Sequence, residues 1–267
     1  MPSWERRVAP ALRPYVSGWV AYDYRLPSTA LHHGMPSASL TVVVAFDEGL
    51  DCGWLDGSGR GRFDVLVAGL HTRPSLIHTH GLQRGIQIDL TPLGARMLVG
   101  VPSGALARRI VEGTDVGWPR SLHHAMQDAS WPRRSEILER FLLARLAHAD
   151  PWALRSELDE AWRVLIAAGG RTRVADLAAH VGWSRRHLLA RFREEFGLTP
   201  KEVARVARFE HARTLIRAGH PLAETAYDAG FADQSHLHRE FTSLAALTPT
   251  QILGEFPFVH DAHTSSS

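Results

Sequence analysis

Hydrophobic residues along this chain change their spacing near Pro92, and the change divides a β-rich front from a helical back. Residues 15–22, 40–46, 62–69 and 84–90 are rich in β-branched and aromatic side chains, and the last of these alternates strictly, as a strand with two unlike faces does. Gly-rich breaks separate them, above all Asp56-Gly57-Ser58-Gly59-Arg60-Gly61. Several short strands with regular turn signals predict a barrel or sandwich. Beyond Pro92 the spacing becomes helical. A short helix is predicted over 93–99 and further short helices or turns over 103–130. A stronger helix spans 135–146, with Ile137, Leu138, Phe141, Leu142 and Leu146 on one side. That helix reads either as the one that closes the N-terminal core or as a dimer helix. Asp150-Pro151 marks a domain boundary. A helix from near Leu154 to Ala168 follows, with Trp162, Leu165 and Ile166 inward, and ends at Gly169-Gly170.

From here one pattern occurs twice. The first copy reads Leu177-Ala178, Gly182, His187-Leu188, Phe192, Leu198-Thr199-Pro200; the second reads Thr225-Ala226, Gly230, His236-Leu237, Phe241, Leu247-Thr248-Pro249. Gly182 and Gly230 stand 48 residues apart and Phe192 and Phe241 stand 49 apart, so the second copy has one extra residue in its turn. Each copy predicts two helices about a glycine turn. Val174, Leu177, Ala178 and Val181 share a helical face, Gly182 suits the positive φ of a helix end, and Ser184 restarts the chain as an N-cap. Two short helices of this kind, the second one basic, form the arrangement that places a recognition helix in the DNA major groove.

At 100° per residue, the positions facing away from Leu188 and Phe192 are Arg186, Ala190 and Arg193, flanked by Arg185 and Leu189. In the second copy Ser235, His238, Arg239 and Thr242 oppose Leu237 and Phe241, with Gln234 on the flank. Arg bridges guanine O6 and N7, and Gln pairs with adenine, so these side chains suit base reading. Between the copies, Thr199-Pro200-Lys201-Glu202 is a capping box with Pro in the first turn. The helix it starts runs past Phe209, Ala212, Leu215 and Ile216 to Gly219. At ~1.5 Å per residue it is a rod of roughly 27 Å. Such a rod holds two recognition helices near one DNA turn apart, about 34 Å.

The run Leu177-Ala178, Gly182, Ser184, Leu188, Phe192, Thr199-Pro200, Arg208, Ala212, Leu215, Ala226, Gly230-Phe231, Ser235, Phe241, Thr248-Pro249 resembles the DNA-binding domain of AraC/XylS-type transcriptional regulators. The resemblance covers the C-terminal end, from near Leu154 to Leu253. It implies seven helices, two helix-turn-helix units joined by a linker helix, and an often cupin-like barrel in the other half. The fold class implied is α+β: a β-rich, cupin-like N-terminal domain over 1–150, an all-α DNA-binding domain over 152–254, and a flexible tail over 255–267. The partners implied are double-stranded DNA across two adjacent major grooves, RNA polymerase, a small-molecule effector in the N-terminal domain, and a second copy of the chain in a homodimer. Three positions depart from the family pattern: Thr225 replaces Ile or Val, Leu237 replaces Phe, and Ala246 replaces Gly. They imply looser packing in the second unit. The apolar Leu189 and Ala190 imply that the first unit reads bases mainly through Arg185 and Arg186, with methyl contacts.

Composition adds limits. The formal net charge is only +2, so bulk charge says little about nucleic acid, whereas Leu177 to Arg193 holds four Arg and no Asp or Glu. Cys52 is the single cysteine, which excludes a disulfide framework, a Cys-based zinc cluster and a repair methyltransferase that needs several cysteines. No apolar run approaches the ~18 residues of a membrane helix, and the N-terminus lacks a signal core. The expectation is a soluble, cytoplasmic protein that does not engage membranes. Of sixteen His, His32-His33, His71 and His78-Thr79-His80 invite a metal reading. A cupin enzyme resembles this but needs a later Glu, and none follows His80 before Glu112. We therefore expect no metal, no cofactor and no enzyme. Trp19, Tyr22, Tyr24, Phe46 and Trp54 are the aromatic candidates to line an effector site.

Overall fold

A computed structural model describes residues 3–27, 30–46, 48–149 and 155–255. The expected boundary at Asp150-Pro151 and the expected tail, apart from Glu255, lie outside the described residues. Ten strands occur among them: β1 Ser3–Glu5, β2 Val16–Arg25, β3 Leu31–Gly34, β4 Leu40–Phe46, β5 Leu50–Trp54, β6 Gly61–Phe63, β7 Val65–Ala68, β8 Ser75–His78, β9 Leu82–Leu90 and β10 Ile110–Glu112. They form a six-stranded sheet, β1-β2-β9-β4-β7-β10, and a four-stranded sheet, β3-β8-β5-β6, with antiparallel pairing throughout.

The larger sheet is buried on both faces. One face, with Val20, Tyr22, Val43, Ala45 and Leu66, meets Leu50 and Cys52 of the smaller sheet. The other face, with Trp19, Val42, Val44, Phe46, Ile86 and Ile88, packs into a core shared with helices. Double burial is why β2 and β4 read as nearly continuous apolar runs. The single strand expected over 62–69 is corrected to two, β6 and β7, which belong to different sheets. The chain changes sheet at Asp64. There the Glu112 carboxylate accepts from the backbone N–H of Asp64 at 3.1 Å and of Val65 at 2.9 Å, which satisfies donors that a corner leaves without a ladder.

Helix α1, Pro92–Gly94, passes into a π turn at Ala95–Val99; α2 spans Ser103–Leu106, α3 Arg120–Gln127 and α4 Trp131–Ala147. Helix α4 starts earlier than its apolar periodicity indicates because Pro132 sits in the first turn, where no N–H is needed. It buries Arg134, Ser135, Leu138 and Leu142, which fits a helix closing the N-terminal core. The Arg134 guanidinium lies 3.9 Å from the Phe46 ring centre and donates to the carbonyls of Met126 and Gln127. Its outward side carries Arg133, Glu136 and Arg140.

The C-terminal part is all-α: α5 Ser156–Ala167, α6 Val174–His180, α7 Arg185–Phe196, α8 Pro200–Arg217, α9 Leu222–Asp228 and α10 Gln234–Ala245. The seventh helix of the expected set is a short 3-10 turn, Gln251–Leu253. Helix α8 bridges two cores. Its first half places Val203 and Ala204 with Trp162, Leu177, Leu188 and Phe192, and its second half places Phe209, Ala212 and Ile216 with Ala226, Leu237 and Phe241.

Candidate nucleic-acid interface

Local chemistry fixes each recognition helix. Gly182 takes φ +70°, Ser184 Oγ accepts from the His187 N–H at 3.2 Å, and Leu188 and Phe192 are fully buried. Helix α7 ends at Gly197, φ +69°. In the second unit Gly230 takes φ +77°, Asp233 Oδ1 accepts from the His236 N–H at 2.6 Å, and Leu237 and Phe241 are fully buried. The capping box that starts α8 forms in both directions, between Thr199 and Glu202.

The faces counted from the sequence are the faces turned outward. Arg185, Arg186, Ala190 and Arg193 are exposed and Leu189 is half-buried; Gln234, Ser235, Arg239 and Thr242 are exposed and His238 is half-buried. Among the described residues, the side chains of Arg185, Arg186, Arg193 and Arg239 have no hydrogen bond or ion pair. Of the other arginines in the domain, Arg191 pairs with Glu194 at 2.8 Å, Arg163 with Asp159 at 3.0 Å and Arg205 with Glu240 at 2.8 Å, whereas Arg155 and Arg173 are exposed and, among the described residues, also without a side-chain partner. Four of the cations left available therefore lie on the two helix faces suited to a groove. Thr242 Oγ1 donates to the His238 carbonyl at 3.0 Å, which ties that hydroxyl to its own helix.

Three arginines tie the two units to each other. Arg205 of α8 bonds Glu240 and Ser243 of α10. Arg208 donates to the Gly170 carbonyl at 2.8 Å, and Arg171 donates to the Asp228 carbonyl at 3.2 Å. The end of α5 is thereby fastened to the end of α9. Residue-by-residue reading of the sequence passes over Arg171 and Arg205, whose partners are 57 and 35 positions away.

The N-terminal domain grips the far end of α7. Arg96 makes a two-point ion pair with the buried Glu195, Nε to Oε1 at 2.7 Å, and Ser103 Oγ donates to the Glu195 carbonyl. Arg108 reaches the Gly197 carbonyl and the Glu202 carboxylate. A Cβ on Gly104 would stand 2.7 Å from the Glu194 carbonyl oxygen, so α2 and α7 touch backbone to backbone. The N-terminal end of α7 stays exposed.

The five aromatic candidates separate. Trp19 and Phe46 lie in the core on the helical side of the larger sheet, whereas Tyr22 and Tyr24 stack at 5.2 Å between the sheets. Burial pushes the Tyr22 hydroxyl above its ordinary pKa. Trp54 lines a cavity of ≈ 60 Å³ between the sheets, with Met35, Val43, Leu66 and Ile77. The histidines disperse: His71 bonds the Arg73 carbonyl, His33 pairs with Glu255 at 3.0 Å and His80 with Asp51 at 3.0 Å. Arg60 grips the same Asp51 carboxylate at two points and, with His80, holds it well below the usual range. Among the described residues no three His, Cys, Asp or Glu gather as a metal site would require, and no helix is long and apolar enough to cross a membrane.

A family model described as a helix-turn-helix domain matches residues 177–254. An HTH-type transcriptional regulator of Rhizobium meliloti, GlxA, is 35% identical over 136 residues, 48% of this chain and 37% of that protein. YbfI of Bacillus subtilis, an uncharacterized HTH-type transcriptional regulator, is 37% identical over 62 residues, 23% of this chain and 22% of its own length. The chain therefore spans well under half the length of these relatives. A solved structure of ToxT from Vibrio cholerae with an unsaturated fatty acid bound matches with a TM-score of 0.56 at 14% identity, covering 94% of this chain and 98% of that one. That likeness extends the shared fold over both domains.

Proposed function

We propose that this chain, whose C-terminal domain is an AraC-type double helix-turn-helix, is a transcription regulator that docks α7 and α10 in two successive major grooves. One observation carries the reading: unpaired Arg185, Arg186, Arg193 and Arg239 crown two recognition helices that α8 and three arginine ties join. Phosphate contacts would supply salt-dependent affinity, and the side chains of both helices the base preference. The N-terminal domain is the regulatory half, modulated by a small-molecule effector; ToxT, of like fold, is described with a fatty acid bound. RNA polymerase and a second copy of the chain are the protein partners in this reading. The activity is regulatory and not enzymatic, and elemental analysis of purified protein tests the cupin-enzyme alternative, which needs a bound metal.

The deciding experiment is selection of genomic fragments by the purified chain, followed by salt titration on the winning site. Enrichment of one site with two elements about 10 base pairs apart is the expected result. Salt-sensitive binding without sequence preference would overturn the two-groove reading.

A further inference from the structure

The two helix-turn-helix units join the N-terminal domain in different ways. The first shares one continuous apolar core with it, running from Trp19 and Leu98 through Leu106 to Phe192 and Phe196. The second has a core of its own, to which, among the described residues, the N-terminal domain contributes one buried side chain, Met35. Met35 follows β3, and its Sδ lies 3.7 Å from Nη1 of Arg213 on α8. Three residues on, the Ala38 N–H donates to Glu210 of α8 at 3.1 Å.

Met35 also forms part of the wall of the ≈ 60 Å³ cavity between the sheets. Among the described residues no Lys, Arg, Asp or Glu lines that cavity; its polar groups include Gln87 and His71. The space exceeds what one water needs. A charged ligand would lose its hydration there without a counter-ion.

We propose that this cavity takes a small, uncharged, largely apolar ligand and that Met35 carries its presence to the second helix-turn-helix unit. The inference rests on the regulator reading above and deepens it. An unbranched thioether with three rotatable bonds can yield to a neighbour without backbone movement. Met35 pressed from the barrel side shifts against Arg213 and Phe209, while the first unit stays fixed by its shared core and by Arg96 and Arg108. A ligand therefore changes the setting of α10 relative to α7.

Cys52, the sole cysteine, lines the same cavity, and burial pushes its thiol up to about 11. Methyl methanethiosulfonate applied to the full chain tests the proposal. The Cys52 thiolate displaces methanesulfinate and keeps an S–CH3 group, which stands in for a small apolar ligand. The folded chain is expected to take one label slowly, by mass. Amide exchange should then rise about fivefold or more in α9 and α10 and stay unchanged in α6 and α7. Affinity for the selected two-element site should change by about fivefold or more, the low end of measured allosteric couplings. In Met35→Ala, or Met35→Val should the first not fold, labelling should proceed with neither effect. The proposal is overturned if the label leaves exchange and affinity unchanged. It is equally overturned if Met35→Ala responds like the wild type, or if the folded chain excludes a reagent that the urea-unfolded chain accepts. Failure of the regulator reading is a separate result: the unlabelled chain would then select no site, while the exchange readout would still report the coupling.

Discussion

Gly197 and Ala246 occupy the same place in the two units, the left-handed residue that ends a recognition helix, with φ of +69° and +57°. Glycine adopts that conformation freely, whereas an L side chain is strained there. Ala246→Gly should therefore raise stability by up to about 1 kcal/mol, since the released strain outweighs the added freedom of the unfolded chain. The reverse change is more damaging: a Cβ on Gly197 would run into Ala107 and would stand 3.1 Å from the Gly104 Cα, so Gly197→Ala also opposes docking of α2 on α7. Thermal melts of the two variants check this. Equal and small shifts for both would show that the left-handed strain is negligible.

Thr225 is fully buried in α9, and its Oγ1 finds no hydrogen-bond partner among the described residues. A hydroxyl taken out of water without a partner costs about 1–3 kcal/mol, and valine keeps nearly the same shape. Thr225→Val should stabilise the chain by about 1–2 kcal/mol in urea titrations, without altering the two-element site it selects. Destabilisation would mean that the hydroxyl has a partner, such as a buried water.

Those two positions were legible before any coordinates, as departures from the pattern of the family that the C-terminal end resembles. So were Gly182, Ser184 and the Thr199–Glu202 box, because caps and turns are written within three or four residues. The outward faces of α7 and α10 followed from helical geometry alone. The split of 62–69 into β6 and β7 did not, because the sheet change depends on Glu112, 48 positions from Asp64. Nor did the place of Met35, which the topology sets between the barrel and α8. Aromatic content pointed to five effector candidates, yet only Trp54 lines the cavity; in strands buried on both faces, side-chain type does not tell which core a residue enters.

Exposure and partners separate arginines that look alike in sequence. Arg186 and Arg239 are exposed and unpaired on the outer faces, whereas Arg191 is half-buried and bonds Glu194. Arg186→Ala and Arg239→Ala should each weaken binding to the selected site by about 1–3 kcal/mol and relax base preference. Arg191→Ala should change binding far less. Competition titrations against scrambled DNA measure the discrimination. Full retention of it in both outer-face variants would remove these residues from the reading set.

Acid should loosen the β3 end of the small sheet. Burial lowers the His32 pKa from 6.5 to about 4, against a partial opposing pull from Glu255 and with support from the neighbouring His33. Above about pH 6.5 the ring is neutral in both folded and unfolded chains, so its full contribution is present. Below that the unfolded chain takes a proton that the folded chain refuses until about pH 4, and stability falls across this window. The loss approaches about 3 kcal/mol at most, from 1.36 kcal/mol per unit. His32→Gln removes the titration, so its stability should decline less between pH 7 and pH 4.5 than that of the wild type, whatever the absolute cost of the substitution. Urea unfolding at both pH values gives the comparison. Identical declines would show that His32 takes up its proton while still in the fold, through the Glu255 carboxylate or an opening of β3.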